Sequence, residues 1–213
     1  MLREPAYKHI DYYFSVLSPW AYMGHEWFLA TARNLRLPVH YKPFNLIEIF
    51  GETGGLPLAK RHNTRQNYRF IELQRWQMQR GIEMNLKPKF FPFDASLADR
   101  AIIAALQTPK FNPGMFILKL MRGAFCEERD MSTANEVARI AAIAGLEADA
   151  IIKLAKSDKI TAIYQNNTAE AVKKGVFGSP TYDAGGELYW GQDRIEMMQQ
   201  AIEEDRSPYK APQ

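Results

Sequence analysis

The chain has a single cysteine, Cys126, among 213 residues. One thiol can neither close a disulfide within the chain nor run a dithiol redox cycle, so dithiol oxidoreductase chemistry is excluded. Cys126 falls in an apolar helical run, where a buried, unreactive thiol is expected. No apolar run reaches the ~18 residues that a membrane-spanning helix needs. The first residues carry Arg3, Glu4 and Lys8 and no apolar stretch of the secretory kind. Charge of one sign is also scarce: 27 Lys and Arg against 24 Asp and Glu leave only +3. Basic residues gather at Lys60, Arg61, Arg65 and Arg69 as a local patch, but no basic block interleaved with aromatics follows one element, so no nucleic-acid partner is expected. With one cysteine and no paired spacing among His9, His25, His40 and His62, no metal site is expected either. The expected setting is the reducing cytoplasm, with no membrane partner. At 46% hydrophobic residues the chain has enough apolar material for one large domain, or one domain with a sizeable insertion.

What is present is organised around residues 9–22. Ile10, Tyr12 and Phe14 alternate with Asp11, Tyr13 and Ser15, the period of a strand over about 9–16. Ser18-Pro19 follows, a capping serine and then proline at the first helical position, where its missing N–H costs nothing. From Trp20 the spacing is helical to about residue 35. A strand thus hands a hydroxyl to a helix start, where unpaired N–H groups and the helix dipole favour a thiolate, phosphate or carboxylate. Plain capping uses the same residues, and only a partner elsewhere in the chain separates the two readings.

Farther on, Val39–Phe44 reads as a second strand, with Pro43 at an edge or at its end. A strand–helix–strand unit of this length predicts a parallel pair. Residues 51–63 are a Gly/Pro loop carrying cations. Residues 65–80 predict a helix stopped by Gly81, and Pro88 and Pro92 keep 85–94 irregular, with Phe90, Phe91 and Phe93 as a core seam. Helices follow over 97–107, 115–125, 134–144 (opened by a capping-box pattern, Thr133 to Glu136) and, as one element or two, 147–156 and 158–174.

The partner of the first stretch is residues 175–194. Ser179-Pro180-Thr181 leads into a hairpin whose turn is marked by Gly185-Gly186, and Gln192-Asp193-Arg194 opens a last helix. Simple capping by Asp193, or an ion pair of Arg194 with Glu187 or Glu196, would explain that corner structurally. Three separated motifs, Ser18-Pro19-Trp20-Ala21, Gly175–Thr181 and Trp190–Arg194, together resemble the thioredoxin superfamily. More narrowly they resemble its kappa-class glutathione transferases and 2-hydroxychromene-2-carboxylate isomerases. The resemblance spans nearly the whole chain and implies an α/β, DsbA-like thioredoxin core, formed by residues 1–46 and 171–213. An all-helical subdomain, 47–170, is inserted between its halves. Ala21 stands where a dithiol member carries its second cysteine.

The resemblance implies glutathione as cofactor, held by Ser18, Pro19, Trp20, Ser179, Pro180, Gln192 and Asp193. The Ser179–Pro180 bond is expected to be cis, with the Ser179 backbone facing the tripeptide and Gln192 and Asp193 at its γ-glutamyl end. A free thiol near pKa 8.5 supplies only a few per cent of thiolate at neutral pH. A hydroxyl donor and a helix N-terminus together lower such a pKa by roughly one to two units. Ser18 is therefore expected to hold the nucleophilic sulfur rather than to be the nucleophile. A Ser-His-Asp hydrolase would need a Gly-x-Ser-x-Gly elbow, and neither neighbour of Ser18 is glycine.

For the second substrate, Lys60, Arg61 and Asn63 are expected to receive a carboxylate, with Phe50, Phe91 or Phe93 against an aromatic ring; solvation of a surface loop explains those cations equally. The resemblance implies isomerisation of an aromatic pyruvate in hydrocarbon catabolism, by reversible thiolate addition to a conjugated alkene, rotation and elimination. A kappa-type transferase or peroxidase shares the same residues. A thiol-free binding module is the reading that involves no catalysis. A homodimer is expected, partly from the resemblance and partly because 115–125 is nearly all apolar.

Overall fold

The computed structural model describes residues 6–212. Strand β1, Ile10–Phe14, is the second of four in a sheet ordered β2-β1-β3-β4, with β2 at Val39–Pro43, β3 at Thr181–Ala184 and β4 at Glu187–Trp190. β1 and β2 are parallel, joined by helix α1, Pro19–Asn34, whereas β3 runs antiparallel to β1 and β4 antiparallel to β3. All five residues of β1 are buried, because both faces of the sheet are covered. Ile10, Tyr12 and Phe14 join the main apolar cluster with Met23 and Phe28 of α1. Tyr13 faces the other way, into a smaller cluster with Phe44, Leu46, Ile49 and Val176. Each fully buried large side chain contributes about 1.5–3 kcal/mol relative to exposure. The sheet is a mixed four-stranded one in an α/β arrangement.

Between β2 and β3 run seven α-helices: α2 Leu46–Thr53, α3 Asn63–Arg80, α4 Ser96–Ala105, α5 Gly114–Phe125, α6 Ala134–Ile143, α7 Ala148–Ala155 and α8 Asp158–Lys174. A last helix, α9, covers Ile195–Glu203. α4 is buried from Leu97 to Asp99 and again from Ala101 to Ala105, which explains its lack of an amphipathic pattern. The short chain between α7 and α8 carries Ser157, whose hydroxyl accepts from the N–H of Ile160, so residues 147–174 form two helices.

Three sequence expectations change. Residues 46–53 form a helix that the strand-and-loop reading missed; Asn45 caps it by accepting from the Glu48 N–H, and Gly54 ends it at φ +77°. The next helix begins at Asn63 rather than 65, capped by the His62 ring, so Asn63 is helical and not a loop residue. The apolar run of α5 buries Phe116, Ile117, Leu118, Leu120, Met121 and Phe125 within this same chain. It therefore gives no argument for a dimer. Half of the capping box at Thr133 forms: its hydroxyl accepts from the Glu136 N–H at 3.4 Å, while the Glu136 carboxylate pairs with Arg129.

Candidate functional site

The turn from β1 into α1 is fixed by a buried carboxyl on α4. Asp99 accepts from the Val16 N–H at 2.8 Å and from the Ser15 hydroxyl at 2.7 Å, with the Tyr164 hydroxyl at 3.3 Å. Burial pushes the Asp99 carboxyl up to about 7, against those three donors, which favour the ionised form. The Ser15 oxygen in turn accepts from the Leu17 N–H, and the Ser15 carbonyl from the Ser18 N–H. Ser18 then has the extended backbone of an N-cap, φ −90° and ψ 114°, and Pro19 takes the first helical position.

The Ser18 hydroxyl, 2% exposed, makes two bonds. It accepts from the Ala21 N–H at 3.2 Å and donates to the Ser179 carbonyl at 2.7 Å. The Ser179 side chain reaches back to β1, accepting from the Ser15 N–H at 3.1 Å. The Ser179–Pro180 peptide is cis, as the resemblance implied, and so is Phe91–Pro92. Four residues of the expected glutathione set, Ser18, Pro19, Ser179 and Pro180, thus lie together; Trp20 is half-buried beside them at the start of α1.

The corner at 190–194 is tied to the same place. The Gly191 N–H donates to the Pro180 carbonyl at 2.9 Å. A side chain on Gly178 would collide with the Trp190 indole, which also packs on Phe177 at 4.6 Å between ring centres. Gln192 is 1% exposed and rests on Gly24 of α1. Its side-chain oxygen accepts from Arg80 Nε at 3.1 Å and its carbonyl from a second Arg80 nitrogen at 3.2 Å. Arg80 lies over the rings of Trp27 and Trp76 and pairs with Glu196 at 2.9 Å. Asp193 follows, half-exposed, paired with Arg194 at 2.6 Å and making no side-chain cap to α9. Arg194 thus pairs with neither Glu187 nor Glu196; Glu187 is held by Arg206.

The second group of expected residues is a separate cluster. Arg61 lies over the Phe50 ring at 5.8 Å, with Lys60 and Asn63 exposed beside it. Phe93 is half-buried against the main core. Arg69 stands between Phe70 at 5.9 Å and Phe91 at 5.4 Å, and burial and the like charge of Arg61 push it down to about 10. Burial and Arg65 lower Arg61 in the same direction. No ion pair to Arg61, Arg65 or Arg69 occurs among the described residues, whereas Arg75, Arg80, Arg122, Arg129 and Arg206 all have carboxylate partners. This patch can take an anion, with apolar ring faces alongside. No hydrogen bond or ring contact among the described residues joins it to Ser18.

Sequence reasoning missed Asp99, Arg80 and the placement of Arg69 between two phenyl rings. Arg69 was visible as part of a basic patch; Asp99 and Arg80 carried no local signal, since their partners lie 83 and 112 residues away. Cys126 closes α5, half-buried, bonded to the Glu83 carbonyl at 2.8 Å and beside the Tyr22 hydroxyl at 3.0 Å. Burial pushes its thiol up, away from thiolate chemistry.

A family model described as a DSBA-like thioredoxin domain matches residues 9–203. A 2-hydroxychromene-2-carboxylate isomerase of Pseudomonas putida is 24% identical over 194 residues, 91% of this chain and 93% of that protein. A protein named glutathione s-transferase kappa 2, of Caenorhabditis elegans, is 22% identical and covers 98% of this chain and 96% of its own length. Among solved structures, a 2-hydroxychromene-2-carboxylate isomerase superposes with a TM-score of 0.78 at 21% identity, covering 92% of this chain and 94% of that one. The cytosolic disulfide reductase DsbM of Pseudomonas aeruginosa, in its structure with GSH, gives 0.67 at 17% identity, covering 92% and 98%.

Proposed function

This chain belongs to the DsbA-like thioredoxin-domain family, and from that premise we propose that it is a glutathione-dependent isomerase of the 2-hydroxychromene-2-carboxylate type. The observation that carries the reading is the Ser18 hydroxyl, capping a 16-residue helix and bonded to Ser179, with Ala21 where a dithiol enzyme needs its second cysteine. A protein thiol is thereby missing from this spot, and the donors present suit one that arrives with a ligand. Bound there, glutathione supplies a thiolate that can add reversibly to a conjugated alkene.

The chain's own residues do the rest. Ser18 donates its proton toward the sulfur, and the N-terminus of α1 adds partial positive charge, so the charged form is favoured. To do so the hydroxyl leaves the Ser179 carbonyl, and that carbonyl then becomes available to a backbone N–H of the tripeptide. One hydrogen bond is exchanged for another, so the switch costs little net energy. Pro19 and Trp20 line the helix start. Asp193 offers its carboxylate to the α-amino group of the γ-glutamyl end, and Gln192 fixes the position of Asp193 through Arg80. Residues 47–170 form the wall for the second substrate, a small aromatic pyruvate whose carboxylate meets Arg61, Lys60 and Asn63, with Arg69 behind them, and whose ring meets Phe50 or Phe93. The relatives named isomerase support this reaction, and cytoplasmic, homodimeric working is part of the same reading.

The relative named as a kappa-class transferase supports a second reading, a transferase or peroxidase that consumes glutathione. The two separate on one assay. 2-Hydroxychromene-2-carboxylate is offered with and without glutathione while both are followed. An isomerase converts the substrate only when glutathione is present and leaves its amount unchanged; stoichiometric loss of glutathione identifies a transferase. Turnover without glutathione, or neither turnover nor loss of glutathione when both are present, would reject the proposal.

A further inference from the structure

β1 carries a second polar cluster, at the end remote from Ser18. Asp11 pairs in register with His40 on the parallel neighbour β2, and His9 lies two residues before Asp11, on the same side of the chain. His40 Nδ1 is 3.0 Å and His9 Nε2 3.4 Å from the same oxygen, Asp11 Oδ1. The two imidazoles stack with centroids 4.2 Å apart. One ligand atom from each of the three residues lies within 4.8 Å of the other two. The cluster borders a cleft of about 510 Å³ whose walls include His9, Asp11, Lys174, Asp183 and, at one side, Lys8.

The other carboxylate oxygen of Asp11 is held from the opposite side. Lys174 Nζ donates to Asp11 Oδ2 at 2.9 Å and to Asp183 at 2.6 Å. Lys42, 4.0 Å from Asp11 Oδ2, is engaged by Glu170 at 2.7 Å, and Glu170 also accepts from the Tyr13 hydroxyl. Three carboxylates (Asp11, Asp183, Glu170) against two ammonium groups (Lys42, Lys174) leave this bonded network with one net negative charge, and two half-exposed imidazoles stand at its open end. Such an arrangement accepts a cation. Asp11 is 5% exposed and cannot swing away, so Oδ1 stays aimed at the imidazoles.

We propose that His9, Asp11 and His40 bind one divalent first-row transition-metal ion, of the zinc type, across the β1–β2 pair. With ligand bonds of about 2.1 Å, neighbouring ligand atoms sit roughly 3.0–3.4 Å apart; both nitrogen–oxygen separations fall in that range, and the two imidazole nitrogens, within 4.8 Å of each other, close onto the ion by turning their half-exposed rings. Two imidazoles and one carboxylate are donors for zinc, cobalt or nickel rather than for magnesium or calcium. Lys174 serves as the outer partner that orients the carboxylate. His9 and Asp11 line the cleft, so water can complete the coordination from that side. This site is independent of Ser18 and of the proposed isomerase reaction.

The test uses the untagged, metal-stripped full chain without glutathione, titrated with Zn²⁺ by calorimetry and with Co²⁺ by visible absorption. The expected result is one ion per chain. His9→Ala and His40→Ala should each weaken binding by about tenfold or more, and the double variant should abolish it. Both histidines are exposed enough for these changes to leave the fold intact, which the circular dichroism of each variant verifies. Absence of saturable binding would overturn the proposal, as would one-to-one binding that survives in the double variant or is lost in Cys126→Ser.

Discussion

The Ser18 hydroxyl donates a 2.7 Å hydrogen bond to the carbonyl of Ser179, a residue 161 positions later in the chain. It joins the start of the first helix to the turn that enters the third strand. The expectations below follow from this contact and from the residues that hold it.

Asp193 and its support should act on binding and not on the thiol. Asp193→Ala removes the carboxylate offered to the ligand ammonium, and glutathione affinity should fall about tenfold or more, the worth of a charge-assisted hydrogen bond. Arg80→Gln loosens Gln192 and should have a smaller effect of the same sign, because Arg80 holds both the side chain and the carbonyl of that residue. In both variants the pKa of bound glutathione should stay at the wild-type value. Isothermal titration beside thiolate absorbance checks the pair, and a shifted thiol pKa would count against the division of labour.

Gly24 is the contact plane between α1 and the Gln192 corner. A Cβ there would lie 2.6 Å from Gln192 Cβ and 3.1 Å from the Tyr182 oxygen, so Gly24→Ala must push the corner away. Overpacking of this kind costs about 1–3 kcal/mol. Chemical denaturation should register that loss, with weakened glutathione binding in parallel; unchanged stability would mean that the corner is loosely docked.

Two buried groups set opposing pH slopes. The Asp99 carboxyl is pushed by burial to about 7 from 3.8. Between those values the folded chain keeps a proton that the unfolded chain has released, so stability falls as pH rises from about 4 to about 7 and is level above. His25 is wholly buried and pushed down to about 4 from 6.5, its Nε2 donating to the Gly114 carbonyl. There the unfolded chain takes up the proton first, so stability falls as pH drops through the same interval. The two slopes oppose each other in the wild type. Asp99→Asn removes one of them, and its melting temperature should climb from pH 4 to 6.5 more steeply than that of the wild type. Parallel curves would show that Asp99 does not hold its proton in the folded chain.

Arg69 should govern the acidic substrate. It stands between two phenyl rings with no carboxylate partner among the described residues, next to Arg61. Arg69→Gln should raise KM for a carboxylate substrate about tenfold, the value of one charged hydrogen bond, with glutathione affinity nearly unchanged. Steady-state kinetics with each substrate varied in turn checks this. An equal loss for both ligands would place the patch on glutathione instead.

Local signals in the sequence carried much of this. Ser18-Pro19, Gly81, Gly175 and the Gly185-Gly186 turn each act over a few residues, and the elements they bound appear where expected. α2 was missed although Asn45-x-x-Glu48 and Gly54 are proper start and stop signals, because a Gly-rich stretch follows at once. α4 was legible as a helix, but the reason for an acid in its apolar run was not: Asp99 serves a turn 83 residues upstream. The corner at 190–194 was legible as motifs, while the strut beneath it, Arg80 between Trp27 and Trp76, is tertiary and leaves no spacing to read. The same holds for His9, Asp11 and His40, which only the register of two parallel strands brings together.

The central claim is that Ser18 acts on the sulfur of glutathione. Ser18→Ala removes one hydrogen bond to a charged acceptor, worth roughly 1.5–3 kcal/mol, or about one to two pKa units. The direct measurement is the ultraviolet thiolate absorbance of bound glutathione against pH, in wild type and Ser18→Ala. The expected result is a thiol pKa higher by about one to two units in the variant, with activity at neutral pH down about ten- to a hundredfold and partly recovered at high pH. Superimposable titration curves with full activity would make Ser18 a helix cap and nothing more.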